Sequence, residues 1–304
     1  MSRKASATFA SAVAAEPVCW RMASELDGYS GRPFILGFPM RSRTIEFVVN
    51  CAVRSHPMVD IHCHILPDVD DGSKSWEMTA EMCRVAVRDG ITHIVATPHC
   101  NGEFEYDRER YTAMLGRLHD AGNGKLKFSL GCDFHFSYDN IQDALAHPRR
   151  YTIGESQYLL VEFSDYGIPA GVHQNLLSLS SCGMVPIITH PERNSILLRK
   201  PEMVLEFAEQ GCLVQVTANS FTGFWGGQAK NMAEWLLKCE AVHVVASDAH
   251  DFARRKPTLS EAHAQIAELA GKGTADALVS NNPAAIVAGK SLPKRCGSGT
   301  RSSG

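Results

Sequence analysis

The sequence of 304 residues has no long apolar run and no closely spaced pair of cysteines. No stretch approaches the ~18 consecutive apolar residues of a membrane-spanning helix, so a membrane span is not expected. The 10 cysteines are scattered singly, without a Cys-x-x-Cys motif. In a chain of this length, such spacing favours reduced thiols over a disulfide framework. These absences predict a cytoplasmic protein.

Several enzyme signatures are also missing. No cysteine is followed by an arginine six positions later, which is the arrangement of cysteine-dependent tyrosine phosphatases. There is no G-x-S-x-G elbow of serine hydrolases and no G-x-x-x-x-G-K-[ST] loop, which cradles nucleotide phosphates. The sequence therefore gives no support to these hydrolase and nucleotide-binding classes.

Positive charge is scarce in the central part of the chain. The net charge is −3, yet residues 1–57 hold seven Lys/Arg against four Asp/Glu, and residues 290–304 hold four Lys/Arg and no acid. Residues 58–289 consequently carry −10. An acidic body argues against nucleic-acid binding, which needs a basic surface, and it suits a protein that collects divalent cations.

From Met58 onward, short apolar runs alternate with amphipathic segments. In SWEMTAEMCRVAVRDG, the residues Trp76, Ala80, Cys83 and Val87 recur at helical spacing, and a glycine follows as a stop signal. The apolar runs are rich in Val, Ile and Leu, as expected of parallel strands that are buried on both faces. We predict seven strands, near residues 59–62, 92–97, 127–132, 158–163, 184–189, 213–217 and 242–247.

Seven strands that alternate with helices predict an α/β fold, and at this length closure into a TIM-like (β/α)7 barrel is the natural solution. The barrel would span residues 58–290. Residues 1–57 are interpreted as an N-terminal extension that is either disordered or not translated, with synthesis beginning at Met58. Residues 291–304 are rich in Lys, Arg, Gly and Ser, which predicts a disordered basic tail.

Polar residues collect where the predicted strands end. In parallel α/β barrels the C-terminal strand ends form the functional rim, and six of the seven ends here carry imidazole or carboxylate groups. Each group alone has an ordinary explanation, since strand-end histidines are often hydrogen-bonded and SDAH could cap a helix. Their convergence on one rim favours a metal site. The rim residues are His62, His64, His99, Asp133, Glu162, His190, Arg193, Asp248 and His250.

The first strand end carries the densest motif, DIHCHILPDVDDG. Alternation along an extended chain sends His62 and His64 to one face, and Asp68, Asp70 and Asp71 follow closely. Spacing alone does not decide which aspartate takes part. The other eight histidines are interpreted as ordinary structural residues, His93, His135 and His243 among them.

In this order and spacing, DIHCHILPDVDDG, TPH, VEF, THPER and SDAH resemble the PHP (polymerase and histidinol phosphatase) superfamily. Within it, the chain is most similar to the CpsB/CapC-type metal-dependent tyrosine-protein phosphatases of bacterial capsule and exopolysaccharide biosynthesis. The resemblance covers residues 58 to about 290. It implies the PHP fold, a distorted seven-stranded barrel, with three divalent metal ions, usually manganese. Iron and zinc also suit a set of imidazoles and carboxylates without thiolate.

The resemblance also implies how the ligands divide among the ions. The first ion would be held by His62, His64, Asp133 and Asp248. Asp133 would bridge to a second ion, which Glu162 and His190 complete. The third ion would be held by Asp71, His99 and His250.

Two arginines match the family pattern, and one acidic residue departs from it. Arg193 and Arg255 correspond to family arginines that contact phosphate, a task that suits the planar guanidinium. The family usually has glutamate where this chain has Asp133. Because this bridge is one methylene shorter, we expect turnover to be more sensitive than folding at this position.

The resemblance implies a metal-dependent phosphomonoesterase that acts on phosphotyrosine in proteins through a metal-activated water. The expected partner is an autophosphorylating bacterial tyrosine kinase that controls polysaccharide export, and assembly into a homo-oligomer is left open. Two alternatives also stay open. One is a PHP phosphatase for a small metabolite such as histidinol phosphate, and the other is a barrel that binds metals for structure or regulation without catalysis.

Residues 1–57 contain none of these ligands and no clear series of helices or strands that leads into the barrel. We predict that a protein beginning at Met58 stays soluble and active, with at most modest losses in thermal stability and turnover relative to the full chain. An insoluble or inactive truncated protein would instead show that the extension packs on the barrel.

Overall fold

The structure, a computed structural model, describes residues 57–292, and the predictions for residues 1–56 and 293–304 lie outside this range. The described chain alternates strands with helices. Its strands are β1 Met58–Cys63, β2 Ile91–Ala96, β3 His99–Cys100, β4 Lys127–Leu130, β5 Asp133–His135, β6 Tyr158–Glu162, β7 Val185–Thr189, β8 Leu213–Thr217 and β9 Val244–Ala246. Its helices are α1 Trp76–Asp89, α2 Arg108–Ala121, α3 Tyr138–Ala146, α4 Val172–Ser181, α5 Glu202–Glu209, α6 Ala218–Phe221, α7 Gly227–Lys238, α8 Ser260–Ala270, α9 Lys272–Asp276 and α10 Asn282–Val287.

The strands pair in parallel and follow one another around the barrel in chain order. One sheet contains β1, β2 and β4, and the other contains β3, β5, β6, β7, β8 and β9. In the chain, β3 follows β2 and β5 follows β4 after a gap of two residues. The described strands therefore fill the seven predicted positions, and the distorted (β/α)7 barrel is confirmed.

Two of the predicted strands, near residues 92–97 and 127–132, are each broken in two. Pro98 lies in the first break, and proline has no N–H to donate to a strand ladder. Gly131 lies in the second, where an added Cβ would come within 3.1 Å of Val95 Cγ1. At these breaks both segments of the chain cross to the larger sheet, where His99 of β3 pairs with Asp133 of β5.

The barrel closes between β9 and β1. Cys63 forms a parallel bridge with Ala249, and the backbone N–H of Asp248 donates to the carbonyl of His62 at 2.8 Å. The contacts that close the barrel therefore involve the predicted metal ligands His62 and Asp248 and the residues that follow them in the chain.

Inside the barrel, side chains from many strands form one apolar cluster. It joins Val59 of β1, Val95 of β2, Leu160 of β6, Ile187 of β7 and Val244 of β9. Side chains from so many strands of a closed barrel meet in its interior. This core fills the barrel and leaves its C-terminal rim to polar groups.

The helix predicted from SWEMTAEMCRVAVRDG is confirmed as α1. The Ser75 hydroxyl accepts a hydrogen bond from the Met78 backbone N–H at the start, and Gly90 ends the helix at φ 95°, where glycine is unstrained. The buried face centres on Met82 and Cys83 and is shifted from the predicted one, so Ala80 is only partly buried. Within residues 57–292, no helix combines the length and apolar character that crossing a bilayer would need.

The closure of the barrel depends on one buried carboxylate. Asp60 accepts hydrogen bonds from the backbone N–H of Ser247 at 2.9 Å and from its hydroxyl at 2.5 Å. We predict that Asp60→Ala lowers the free energy of unfolding by about 1–3 kcal/mol, because the buried Ser247 N–H would lose its acceptor. Chemical denaturation measures this loss. The control is Asp120→Ala on the exposed surface of α2, and equal stability of the two variants would show that closure does not need this contact.

Candidate metal centre

The two histidines at the end of β1 meet at their Nε2 atoms. His62 Nε2 and His64 Nε2 are 3.2 Å apart, and both side chains are buried. His64 Nδ1 lies 2.8 Å from Asp70 Oδ2, and His62 Nδ1 lies 2.9 Å from Gln215 Oε1. Because oxygen acceptors at Nδ1 hold the ring proton there, both Nε2 lone pairs face the same point, as in metal-binding histidines.

Asp248 and Asp133 approach this pair from two other strand ends. Asp248 Oδ1 lies 3.5 Å from both His62 Nε2 and His64 Nε2. Asp133 Oδ2 lies 3.4 Å from His62 Nε2 and 4.0 Å from His64 Nε2. The structure therefore brings together the four side chains that were predicted to hold the first ion.

Asp133 also faces a second group of side chains. Its Oδ2 lies 3.2 Å from His99 Nδ1, and Glu162 Oε2 lies 3.7 Å from the same nitrogen. Glu162 Oε1 is 3.7 Å from His190 Nε2. Asp133 thus lies between the two groups, where a bridging residue has to lie, and His99 borders a group for which it was not predicted.

The third group lies nearer to solvent. Asp71 Oδ1 is 3.3 Å from His99 Nε2 and 3.2 Å from His250 Nε2. The Asp71 side chain is 52% exposed, whereas the ligands of the first group are buried. The three side chains predicted for the third ion thus meet at the mouth of the site.

The structure separates the three aspartates of the DVDDG motif. Asp68 is exposed. Asp70 is buried and faces the back of the His64 ring, where it also accepts a hydrogen bond from the Gly72 backbone N–H at 2.9 Å. Only Asp71 faces the histidines of the third group, which agrees with the position carried over from the family.

Two residues at strand ends have an unusual backbone conformation. His190 has φ 33° and Asp248 has φ 51°, values that residues other than glycine rarely adopt. Such conformations persist where surrounding contacts hold them, often at functional sites. No helix begins at SDAH, since the next helix starts at Ser260, so the interpretation of SDAH as a helix cap is wrong.

The carboxylates dominate the electrostatics at His62 and His99. Burial alone lowers the pKa of the His62 imidazole, but Asp133 and Asp248 raise it to about 9. Burial likewise lowers the pKa of His99, but Asp133 and Asp71 raise it to about 11. The negative charges thus favour a positive charge at these nitrogens, and a bound cation would provide it.

The residues fit a metal ion by a second criterion. Asp133 is 0% exposed, and neither of its oxygens has a hydrogen-bond partner of good geometry among residues 57–292. A buried carboxylate without such partners is costly, and a divalent cation would satisfy it. Imidazole and carboxylate donors without thiolate suit manganese, iron or zinc.

Both predicted arginines lie beside the first group. The guanidinium groups of Arg193 and Arg255 donate to Asp248 Oδ2, Arg255 from Nη2 at 2.6 Å and Arg193 from Nη1 in a closer contact. Both also lie against Trp225, with their guanidinium carbons 4.0 Å and 5.3 Å from the ring centroid. Neither arginine is a freely solvated surface charge.

Three residues that shape the site were not identified from the sequence. The spacing of the motif does not distinguish Asp70 from Asp68 and Asp71, although the Asp70 carboxylate orients His64. Gln215 is a polar residue inside the apolar strand LVQVT, a signal of the kind that pointed to Glu162. Trp225 is neutral and lies in a loop, so nothing in the sequence marked it.

A sequence model of the family described as "Capsular polysaccharide synthesis, CpsB/CapC" matches residues 58–288. The chain belongs to the CpsB/CapC family. Among its relatives, the tyrosine-protein phosphatase YwqE of Bacillus subtilis is 34% identical over 210 residues, which cover 67% of this chain and 82% of that protein. The tyrosine-protein phosphatase CpsB of Streptococcus pneumoniae is 31% identical over 239 residues, which cover 76% of this chain and 98% of that protein.

Solved structures agree with this membership in the CpsB/CapC family. A chain from the crystal structures of Bacillus subtilis YwqE and Streptococcus pneumoniae CpsB, described as metal-dependent tyrosine phosphatases, matches with a TM-score of 0.73 and 29% identity. The match covers 78% of this chain and 97% of that one. A phosphotriesterase homology protein from Escherichia coli matches with a TM-score of 0.52 but only 10% identity, and covers 76% of this chain and 99% of that one. The second likeness concerns the barrel fold alone.

The position of Asp70 behind His64 leads to a prediction about metal affinity. Asp70→Ala would leave His64 Nδ1 without its acceptor, although Asp70 is not itself a proposed ligand. Loss of such a partner typically weakens metal binding roughly 10–100-fold, and we expect an effect of this size in titrations against a competing chelator. Asp68→Asn in the same motif is the matched control and should bind metal like the unchanged protein. The prediction fails if the two variants bind metal equally well.

Proposed function

We propose that this member of the CpsB/CapC family is a metal-dependent phosphomonoesterase that removes phosphate from phosphotyrosine in proteins. One observation carries the proposal: Arg193 and Arg255 contact the same carboxylate, Asp248, that faces the His62–His64 pair. A phosphoryl group that bound to the arginines would therefore lie next to the candidate metal ligands. The names of YwqE and CpsB, which are tyrosine-protein phosphatases, support phosphotyrosine as the substrate.

Three divalent ions, with manganese as the expected metal and iron or zinc as alternatives, match the three groups of side chains. The first group offers the imidazoles of His62 and His64, the second is built around Glu162, and the third opens to solvent at Asp71. Asp133 would be shared by the first two. The proposed ligands are His62, His64, Asp71, His99, Asp133, Glu162, His190, Asp248 and His250.

Bound divalent ions would lower the pKa of water enough for attack on phosphorus near neutral pH and would draw charge from the phosphoryl oxygens. The side chains have complementary tasks. Arg193 and Arg255 would hold the phosphoryl oxygens with charge-assisted hydrogen bonds and stabilise the charge that develops there. Asp70 and Gln215 would keep the imidazoles turned toward the reaction site.

A cleft of ≈ 210 Å³ beside the second group is lined by both apolar and charged side chains, which an aromatic phosphoester would need. Phe163, Leu197 and Trp225 give it an apolar wall, while Glu162 and Arg193 line it with charge. A phosphotyrosine could place its ring against that wall with its phosphate toward the arginine. Tight selection of an aromatic ring in this way would distinguish phosphotyrosine from shorter phosphorylated side chains.

The partner that we propose is an autophosphorylating bacterial tyrosine kinase of capsule or exopolysaccharide biosynthesis. The description of the family as one of capsular polysaccharide synthesis supports this choice. Only the phosphotyrosine side chain of the kinase would enter the cleft, because the cleft is too small for a folded element.

The test compares a phosphotyrosine peptide with histidinol phosphate as substrates of protein purified without chelator. We predict release of phosphate from the peptide that is lost on chelation and restored by manganese. Preference for histidinol phosphate would reassign the substrate to a small metabolite. A complete lack of metal-dependent turnover would support the non-catalytic metal-binding barrel.

Two variants of Asp133 test the proposed bridging carboxylate in the same assay. Asp133→Ala should lose nearly all activity together with the metal that the carboxylate shares. Asp133→Glu should retain metal, because it keeps a carboxylate that can bridge the two ions. Metal content is measured beside turnover, and full activity of Asp133→Ala at limiting manganese would show that another acid forms the bridge.

A further inference from the structure

The strand end of β8 is the one rim position for which the sequence offered no charged ligand. The chain leaves β8 at Thr217, forms the short helix α6 and reaches Trp225 before α7 begins. Trp225 then lies against Arg193, which follows β7, and against Arg255, which follows β9. The eighth strand in chain order thus contributes an aromatic ring between two cations instead of a ligand.

The loop that carries Trp225 is firmly built. Glu192 Oε1, next to Arg193 in the chain, accepts hydrogen bonds from the Thr217 backbone N–H at 3.0 Å and from the Ser220 hydroxyl at 2.6 Å. Gly223 and Gly226 flank the loop at φ 86° and 89°, a region that other residues rarely adopt. The buried Glu192 carboxylate therefore anchors the start of the segment that leads to Trp225.

Two buried donors at this place lack an acceptor. Trp225 Nε1 and Arg255 Nε have no hydrogen-bond partner among residues 57–292. A buried N–H group without an acceptor is costly, and the two groups belong to side chains in contact with each other. An oxygen-rich anion beside the ring would offer acceptors to such donors.

The arginines need a second contact besides Asp248. Asp248 engages only some of the N–H donors of each guanidinium, and Arg193 Nη1 also lies 3.4 Å from Thr217 Oγ1, so these contacts alone leave the plane of each guanidinium free to turn. Stacking on an aromatic face fixes the plane of a guanidinium while leaving its edge free for hydrogen bonds. Trp225 lies where it can do this for Arg193 and Arg255 together.

We infer that Trp225 is a positioning residue for oxyanion binding: its ring holds the guanidinium groups of Arg193 and Arg255 so that their free N–H edges face the phosphoryl group. This inference rests on the proposed function, because it takes the oxyanion to be the phosphoryl group of the substrate or of the phosphate product. It adds a neutral residue to a site otherwise described by charges.

The experiment measures the affinity of manganese-loaded protein for inorganic phosphate by calorimetry, so it does not depend on turnover. Trp225→Leu should weaken phosphate binding about 10- to 30-fold, the size of a largely desolvated cation–π contact. Trp225→Phe keeps an aromatic face and should bind phosphate within about 3-fold of the unchanged protein. In the turnover assay, Trp225→Leu should raise KM for the phosphotyrosine peptide more than it lowers kcat.

Two further variants separate positioning from a general structural role. Arg193→Lys keeps the charge but loses the planar face, so adding Trp225→Leu to it should cost much less than Trp225→Leu alone. Trp76→Leu is the matched control, because Trp76 on α1 contacts Arg117 at 4.2 Å in the same way and lies outside the site. It should bind phosphate normally, with manganese content and thermal unfolding recorded for every variant.

The outcomes separate this inference from the proposed function. If the unchanged protein binds phosphate and hydrolyses the peptide, but Trp225→Leu binds phosphate equally well, the inference is wrong and the function stands. The inference is also wrong if Trp225→Phe binds as weakly as Trp225→Leu, or if the effects of Arg193→Lys and Trp225→Leu simply add. If the unchanged protein hydrolyses no phosphomonoester, the proposed function fails whatever the Trp225 variants show.

Discussion

A single buried carboxylate, Asp248, connects the parts of the site. It is 2% exposed, and burial of a charge is costly unless opposite charges and donors surround it. One of its oxygens faces the two imidazoles of β1 and the other accepts from Arg193 and Arg255. Burial would raise its pKa, but these neighbours hold the pKa of Asp248 well below its usual range. The loops after β7 and β9 are therefore tied to β1 by the requirement to compensate one charge.

The segment around Asp248 also closes the barrel, so folding of the barrel also arranges the side chains of the site. Ser247, directly before Asp248, donates twice to Asp60 of β1, and the Asp248 backbone N–H donates to the carbonyl of His62. The left-handed backbone at Asp248 lies between these contacts. Strain at such a residue is sustained only when the neighbouring structure holds it. The contacts that close the barrel therefore also hold the backbone that directs this carboxylate to the rim.

Much of this architecture follows from simple patterns in the sequence, and the exceptions have physical causes. The apolar runs predict the seven strand positions, and the rule that strand ends share a rim brings nine polar residues together. The close packing at Gly131 depends on side chains such as Val95 of a neighbouring strand, which a linear pattern does not contain, whereas Pro98 could have been read as a strand break from the sequence. The separate roles of Asp68, Asp70 and Asp71 arise from the turn between them, which directs adjacent residues to different sides. The sequence does not identify Trp225, because this residue contributes a ring face and not a charge.

The short side chain at Asp133 shows how these breaks bear on the site. The family resemblance predicts a glutamate at this position, and the aspartate is one methylene shorter. Its Oδ2 nevertheless lies 3.4 Å from His62 Nε2 and 3.2 Å from His99 Nδ1. Asp133 begins β5, directly after the break at Gly131, and its backbone N–H donates to the Pro98 carbonyl at 3.1 Å in the facing break. Since β5 starts a new strand that pairs with β3, the backbone at Asp133 is not bound to the path of β4. The interrupted strands thus place Asp133 on a separate short strand, from which its carboxylate extends toward both His62 and His99.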